Sequence, residues 1–372
     1  MMLLDWIQRL ADSAGLAGDP GQARLPSRGQ FLRMLRRERA RADRAGSQFS
    51  LLALESGGPA CGGRSGDGRA TLYHLLRLLR RRLRVTDDVG WLDRRRLGVI
   101  LPDTPAWGAW ALVDDLCLAF PTDVPLFHST VYVYPDEQSE AGAAGDESAA
   151  EPVPARRPES AATPAQPVEP LLVRRLPAWK RGLDVAGAIG GLLVLAPVLL
   201  LAAAAVKLSS RGPVLFVQWR RGLGGRPFRL YKFRTMVADA EDRKADVLGL
   251  NERDGPVFKT ENDPRVTGLG HWLRKTSLDE LPQLWNVLRG DMSLVGPRPL
   301  PVAEADACRG WHGHRADVTP GITCIWQTRG RGEVPFVEWM RMDARYVRSR
   351  SLIRDLLLLV KTVPAVLLRR NQ

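Results

Sequence analysis

Two adjacent carboxylates, Asp279 and Glu280, lie in a run that reads TSLDELPQLWNVLRGDMSLVGPRP over residues 276–299. Such a pair offers an oxygen nucleophile and a ligand for a hard cation, and Mg²⁺ prefers one or two carboxylates plus substrate phosphates. Bases stand on both sides of it. Residues 232–236 read KFRTM, with Lys232 and Arg234; residues 263–267 read DPRVT, with Arg265; Arg298 lies in the closing GPRP. Guanidinium groups grip phosphate oxygens two at a time, so this set suits a diphosphate. The competing reading is an acidic pair at a helix start, favoured by the helix dipole and capped by Ser277. It leaves the surrounding Arg, Gly and Pro clusters unexplained. His271, His312 and His314 lack the HExxH spacing, and Cys61, Cys117, Cys308 and Cys324 form no CxxC pair, which excludes an ordinary zinc site and a disulfide framework.

These groups need positioning elements. Residues 185–206 carry no charge over 22 positions and are bounded by Asp184 and Lys207. At about 1.5 Å per residue, a straight helix of that length would cross a bilayer. Pro197 near its middle removes a helix hydrogen bond and predicts a kink. Arg174, Arg175, Lys180 and Arg181 precede the segment, and Lys207, Arg211, Arg220 and Arg221 follow it. A spanning helix normally carries its Lys/Arg excess on one side. A span and a helix that enters one leaflet, bends at Pro197 and returns both fit; a buried helix of a soluble domain is the third reading, for which the run is long. Residues 352–369 are apolar but interrupted by Arg354, Asp355 and Lys361, the pattern of a helix lying in the interface or packed on the domain.

Residues 136–170 hold eight acids and two bases, are rich in Ala and Pro and lack aromatics, so they read as a disordered linker. The chain of 372 residues carries +13, and without the linker it carries 52 bases against 33 acids, or +19. The linker separates an N-terminal part, residues 1–135, from a C-terminal part, residues 171–372. Residues 1–18 read as an amphipathic segment rather than a signal peptide. The N-terminal part alternates: helices over 29–45, 70–84 and 106–119, and strands over 49–54, 89–92, 97–101 and 127–134. That predicts an α/β layered domain.

Residues 178–372 resemble the bacterial sugar transferase family, the monotopic polyprenyl-phosphate phosphoglycosyl transferases. The likeness rests on the apolar segment with its Pro, SSRGPVLFVQ (209–218), KFRTM, DPRVT, the SLDELPQLWNVLRGDMSLVGPRP run, TPGITCIWQ (319–327) and GRGEVPF (330–336). It implies an α-rich α+β membrane transferase domain with a re-entrant helix over 184–207, kinked at Pro197, on the cytoplasmic face of a bacterial inner membrane. It implies that Asp279 attacks the β-phosphate of a UDP-sugar, releases UMP and passes the phosphosugar to a polyprenyl phosphate. Glu280 would ligate Mg²⁺, and Lys232, Arg234, Arg265, Arg298, Gln327 and Arg331 would bind phosphate or nucleotide. A homodimer is a further implication. One departure stands out: in the GITGxWQ run this chain has Cys324 in place of Gly, read as a small tolerated change beside the sugar pocket.

LPSRGQFLRMLRRERARADRAGSQFSLLALE (25–55) and RVTDDVGWLDRRRLGVILPDT (84–104) resemble a diguanylate cyclase (GGDEF) domain. The signature loop has become Asp93-Arg94-Arg95-Arg96-Leu97. Its glycines and its acidic metal ligands are gone, so the resemblance implies a degenerate domain without cyclase activity. Arg84-x-x-Asp87 occupies the family's inhibitory cyclic di-GMP position. The sensor reading has Arg84 on phosphate or guanine and Asp87 on guanine N–H groups; the alternative is a salt bridge between the two. A membrane enzyme that initiates exopolysaccharide or glycoconjugate assembly under a regulatory domain is the leading expectation. A non-enzymatic cyclic di-GMP receptor on a dead transferase scaffold is the other. The charge alone would suit nucleic acid, but no nucleic-acid fold motif is present.

Overall fold

The computed structural model describes residues 25–56, 68–120, 127–135 and 164–367, less residues 238, 248, 250, 253, 259, 261, 262, 309 and 329–333. The chain divides into two compact units, Met1–Val168 and Glu169–Gln372. The expectations for residues 1–18 and for Arg331 fall outside the described residues.

In the first unit, helix α1 (Arg28–Ala45) starts behind Ser27, whose N–H donates to Gln30 Oε1 at 2.8 Å, and stops at Gly46, which takes the left-handed conformation. Then follow β1 (Phe49–Ser56), α2 (Gly68–Arg82), β2 (Asp88–Trp91), β3 (Arg96–Pro102), α3 (Ala106–Leu118) and β4 (Phe127–Tyr134). The sheet runs β2-β3-β1-β4, each pairing antiparallel, with a short fifth strand at residues 166–167, β5, beyond β4. A βαββαβ chain folded in this order is the split βαβ arrangement. Leu72, Leu75, Leu76 and Leu79 of α2 share one face at helical spacing. With Val113 and Leu116 of α3 they cover Leu52, Leu54 and Val99 of the sheet.

Helix α1 covers the other face. Its Phe31 ring lies over the cross-strand pair Gly90 and Gly98, where an added Cβ would come within 2.6 and 2.4 Å of ring carbons. Glycine is required there for close approach.

Residues 136–163 of the expected linker fall outside the described residues, and its last part is folded rather than disordered. Strand β5 (Gln166–Pro167) pairs in parallel with β4, and Val168 and Leu172 are fully buried. The open edge of β4 supplies backbone hydrogen-bond groups to whatever chain runs beside it, so composition misled at this end of the segment.

The second unit is mostly helical with two small sheets. Helix α4 (Ala178–Val194) and helix α5 (Ala196–Ser209) meet at Leu195 with a bend of 64°. Pro197 lies in the first turn of α5, where its missing N–H costs little, but it cannot bond the Leu193 carbonyl that a continuous helix would offer. Among the described residues no single helix is long and apolar enough to cross a membrane. Strands β6 (Leu215–Arg221) and β7 (Pro227–Phe233) form an antiparallel hairpin. Helix α6 (Gly268–Thr276), a 3₁₀ turn at Leu278–Glu280 and helix α7 (Gln283–Arg289) follow. Strands β8 (Ser293–Val295) and β9 (Gly321–Thr323) pair in parallel. Helices α8 (Phe336–Ser349) and α9 (Leu352–Leu367) close the unit.

Both ends of the bent pair are fastened to this one body. At the start of α4, Lys180 pairs with Asp355 of α9 at 2.6 Å, both buried. Arg181 donates to the Val287 and Leu288 carbonyls at 2.6 Å, and Asp184 accepts from the Ser293 hydroxyl and the Leu294 N–H at 2.9 Å. Beyond α5, Arg234 donates to the Ser210 carbonyl at 2.7 Å and to the Pro213 carbonyl. The middle of the pair is left bare: Leu193, Val194, Leu200 and Leu201 are each more than 70% exposed. Helix α9 likewise buries Asp355 and Leu358 and exposes Ile353, Leu357 and Val360.

Candidate active site

Helix α6 ends at Ser277, which adopts the left-handed conformation at φ 58°. That turn redirects the chain into the 3₁₀ turn carrying Asp279 and Glu280. Thr267 caps α6 by accepting from the Gly270 N–H at 3.0 Å, and Gly270 lies so close to Thr235 that a Cβ would sit 2.0 Å from its carbonyl oxygen. Helix α7 is held to β7 by Asn286, whose Oδ1 accepts from the Tyr231 N–H at 3.1 Å and whose Nδ2 donates to the Arg229 carbonyl at 2.7 Å. The carboxylate turn is therefore braced from both sides against the strand that carries Lys232.

The two carboxylates have different surroundings. Glu280 accepts from both terminal nitrogens of Arg298, with Nη1 at 3.0 Å, and Lys232 Nζ approaches Oε1 at 3.4 Å. Asp279 is 7% exposed and forms no ion pair among the described residues. Burial raises its pKa, and the neighbouring Glu280 adds to this, against the pull of Lys232, Arg274 and Arg298. Burial pushes Lys232 down to about 8 despite the attraction of Glu280. Burial and the nearby Arg298 lower Arg220 to about 10. The site is thus one buried, unpaired carboxylate beside a cation cluster, the arrangement for drawing in an anion and attacking it with an oxygen.

The expected phosphate binders fall into two groups. Lys232 and Arg298 meet at Glu280. Arg234 and Arg265 are engaged elsewhere and are not brought to Glu280. Among the described residues, Arg234's side-chain hydrogen bonds run to residues 206–213, at the end of α5 and just beyond it. Arg265 is clasped by Asp263, with Nε to Oδ1 at 2.9 Å and Nη2 to Oδ2 at 2.7 Å, and also donates to the Ala240 carbonyl. A guanidinium spent on buried carbonyls and a carboxylate is a strut for the fold. Gln327 is buried in the 3₁₀ turn Trp326–Thr328 and accepts from the Cys324 thiol.

Arg274 and Arg315 were missed in the sequence. Arg274 sits on α6 one turn ahead of Asp279, bonds Thr235 Oγ1 through Nε at 3.0 Å and lies in the field of Asp279. Its position five residues before the acid was legible, but nothing in the sequence aimed it. Arg315 donates to the Arg298 carbonyl and pairs with buried Asp343 at 3.0 Å, so it fixes the backbone of a site residue. Among the tryptophans of this unit, Trp326 and Trp339 are buried while Trp272 and Trp285 are more than half exposed.

For Mg²⁺, the donor set fits in part. Asp279 and Glu280 provide hard oxygens at adjacent positions, although Glu280 already accepts from Arg298 and Lys232. No cluster of three or more His, Cys, Asp or Glu exists among the described residues. The remaining ligands would be substrate phosphate and water.

In the first unit, the Asp87 carboxylate turns back to the Arg84 backbone N–H at 2.8 Å, so the side-chain salt bridge between them does not form and Arg84 stays exposed. The loop after β2 is closed by Asp93, which accepts from the N–H groups of Arg95 and Arg96 at 2.8 and 2.9 Å.

Comparison with known proteins adds a name to the second unit. Residues 175–369 match the family described as bacterial sugar transferase. The galactosyl transferase CpsE of Streptococcus agalactiae is 44% identical over 51% of this chain and 42% of its own length, so the present chain spans about two-fifths of that relative. The UDP-glucose:undecaprenyl-phosphate glucose-1-phosphate transferase of Caulobacter vibrioides is 46% identical over 52% of this chain and 71% of its own. Among solved structures, the GGDEF domain of DgcB from Caulobacter crescentus in complex with c-di-GMP is similar at 13% identity and TM-score 0.25, over 30% of this chain and 70% of that one.

Proposed function

The chain belongs to the bacterial sugar transferase family, and on that premise we propose that it moves a phosphosugar from a UDP-sugar to polyprenyl phosphate. The product would start an exopolysaccharide or glycoconjugate chain. The observation that carries this reading is the division of labour between the carboxylates. Glu280 engages Arg298 and Lys232, while Asp279 stays buried and unpaired among the described residues. In the first step an Asp279 oxygen bonds to the β-phosphorus as the bond from that phosphorus to the UMP oxygen breaks. In the second, a polyprenyl phosphate oxygen attacks the same phosphorus and returns the carboxylate. Lys232, Arg274 and Arg298 balance the negative charge of the diphosphate, and Glu280 holds Arg298 in place. Glu280, with Asp279, would hold Mg²⁺, whose charge offsets that of the phosphates when bound. Gln327 and Arg331 complete the proposed nucleotide-sugar contacts.

The bent pair α4–α5 is read as re-entrant. Its two ends are hydrogen-bonded to the same body, which a helix with ends on opposite faces of a bilayer does not permit. The bare leucines at the bend enter the acyl region, and Lys207 and Arg211 remain at the headgroups, on the cytoplasmic side of the inner membrane. The lipid phosphate is then delivered beside Asp279 at high effective concentration. The first unit is read as regulatory, with Arg84 and Asp87 facing cyclic di-GMP.

The test is UMP release from a panel of UDP-sugars with polyprenyl phosphate and Mg²⁺ in membranes. Wild type releases UMP and Asp279→Asn does not, while both stay membrane-bound. Near-wild-type turnover by Asp279→Asn removes it as nucleophile. No turnover with any UDP-sugar, together with tight dinucleotide binding, would favour a receptor on a dead scaffold.

A further inference from the structure

The position at which this chain departs from the family pattern contacts a proposed substrate residue directly. The Cys324 Sγ lies 2.9 Å from Gln327 Oε1, and the two residues are 2% and 5% exposed. The contact follows from local folding: the 3₁₀ turn Trp326–Thr328 brings residue 327 back over residue 324. A side-chain amide has one accepting and one donating end, and which end faces a neighbour is decided by that neighbour. A neutral thiol donates, so it selects the oxygen. Burial keeps the thiol neutral by pushing its pKa well up, although the charges of Arg298 and Arg315 pull the other way. Of these two cations, Arg298 holds Glu280, and Arg315 donates to the Arg298 carbonyl.

We infer that Cys324 is a positioning residue: its thiol fixes the Gln327 amide so that the two N–H donors are offered to an oxygen of the nucleotide-sugar. The acceptor is a diphosphate oxygen or a sugar hydroxyl. The inference rests on the transferase reading above. Without the thiol, the amide loses the partner that distinguishes its two ends, and a flipped amide presents an oxygen to an oxygen-rich ligand. The substitution thus acts on recognition of the donor and leaves the attack by Asp279 alone.

The experiment compares Cys324→Ala, which removes the S–H donor, with Cys324→Ser, which keeps a donor at the same place. For the preferred UDP-sugar, Cys324→Ala raises KM about fivefold, the factor worth one net hydrogen bond, with kcat within about twofold. Cys324→Ser brings KM back to within about twofold of wild type. A parallel rise in the inhibition constant of UDP assigns the contact to phosphate; a rise confined to UDP-sugar assigns it to a sugar hydroxyl. In the pair Gln327→Ala and Cys324→Ala/Gln327→Ala, the double variant is no worse than Gln327→Ala. Equal KM for the Ala and Ser variants, a wild-type KM for Cys324→Ala, or additive losses in the double variant would overturn the inference. If wild type releases no UMP, the transferase reading fails separately; UDP binding must then still separate Ala from Ser, or Cys324 has no positioning role.

Discussion

Replacing Lys180 by Met tests whether α4 is held to the second unit by a buried charge pair. Lys180 Nζ and Asp355 Oδ2 are 2.6 Å apart at 1% and 0% exposure, so water cannot take over for either group. Removing one partner of such a pair leaves a buried charge uncompensated and costs about 3–5 kcal/mol. The second unit has 204 residues, from Glu169 to Gln372. At about 2–4 °C per kcal/mol for a unit of this size, Lys180→Met and Asp355→Leu should each lower Tm by roughly 6–20 °C. The double variant should behave otherwise. Met and Leu fill the space with apolar atoms, and the Tyr346 hydroxyl, which now reaches Asp355 Oδ1 at 2.9 Å, keeps the Val295 carbonyl, also at 2.9 Å. The Tyr346 hydroxyl is not orphaned, and although buried Asp184 loses the nearby Lys180 charge, Tm should fall less than in either single variant, since exchanging a whole buried pair for hydrophobic residues is commonly near neutral. The assay is thermal unfolding in nanodiscs, followed by tryptophan fluorescence. Single variants that unfold at the wild-type temperature, or a double variant that loses the sum of the two, would refute the reasoning.

Lys232 falls to about 8, so it loses its charge as pH rises through that value, well before an ordinary lysine would. UMP release should decline above about pH 8, and Lys232→Arg should extend the plateau upward if it remains active; a flat wild-type profile to pH 10 would remove Lys232 from phosphate binding. Pro197→Leu should straighten the α4–α5 junction, whereas in wild type cysteines placed at residues 178 and 209 should label from one membrane face only; labelling of wild type from both faces would end the re-entrant reading. Gly98→Ala puts a Cβ 2.4 Å from the Phe31 ring and should destabilise the first unit by about 1–3 kcal/mol, partly relieved by Phe31→Leu. Isothermal titration of cyclic di-GMP should give a binding isotherm that Arg84→Ala weakens at least tenfold; no heat and no shift by an independent binding method would leave the first unit without that ligand.

Periodicity placed the elements of the first unit within two residues at each boundary, because its helices carry one apolar face and its strands are short apolar runs between turn residues. The linker was harder. Residues 136–163 lie outside the described residues, and pairing of residues 166–167 depends on an open strand edge that only the folded sheet provides. In the site, Asp279, Glu280, Lys232 and Arg298 were legible as residue types, and the fold brings them together. Arg234 and Arg265 look identical to Arg298 in sequence. Their partners are backbone carbonyls, or an acid two residues away, and no motif distinguishes an arginine that holds a ligand from one that holds the chain. The kink at Pro197 was legible because proline acts on its own backbone, whereas the fastening of both helix ends depends on residues about 24 to 175 positions away.

That fastening decides where the protein can be cut to make it water-soluble. Excision of the whole apolar hairpin from residue 178 would also remove Lys180, Arg181 and Asp184. Asp355 would lose its cation, and the Val287 and Leu288 carbonyls their donors, in the interior of what is left. The first eleven residues of α4, through Ala188, belong to the folded body as much as α7 or α9 does. A soluble version must keep them, keep Val206 to Ser210 for Arg234, and close the gap between with a polar turn.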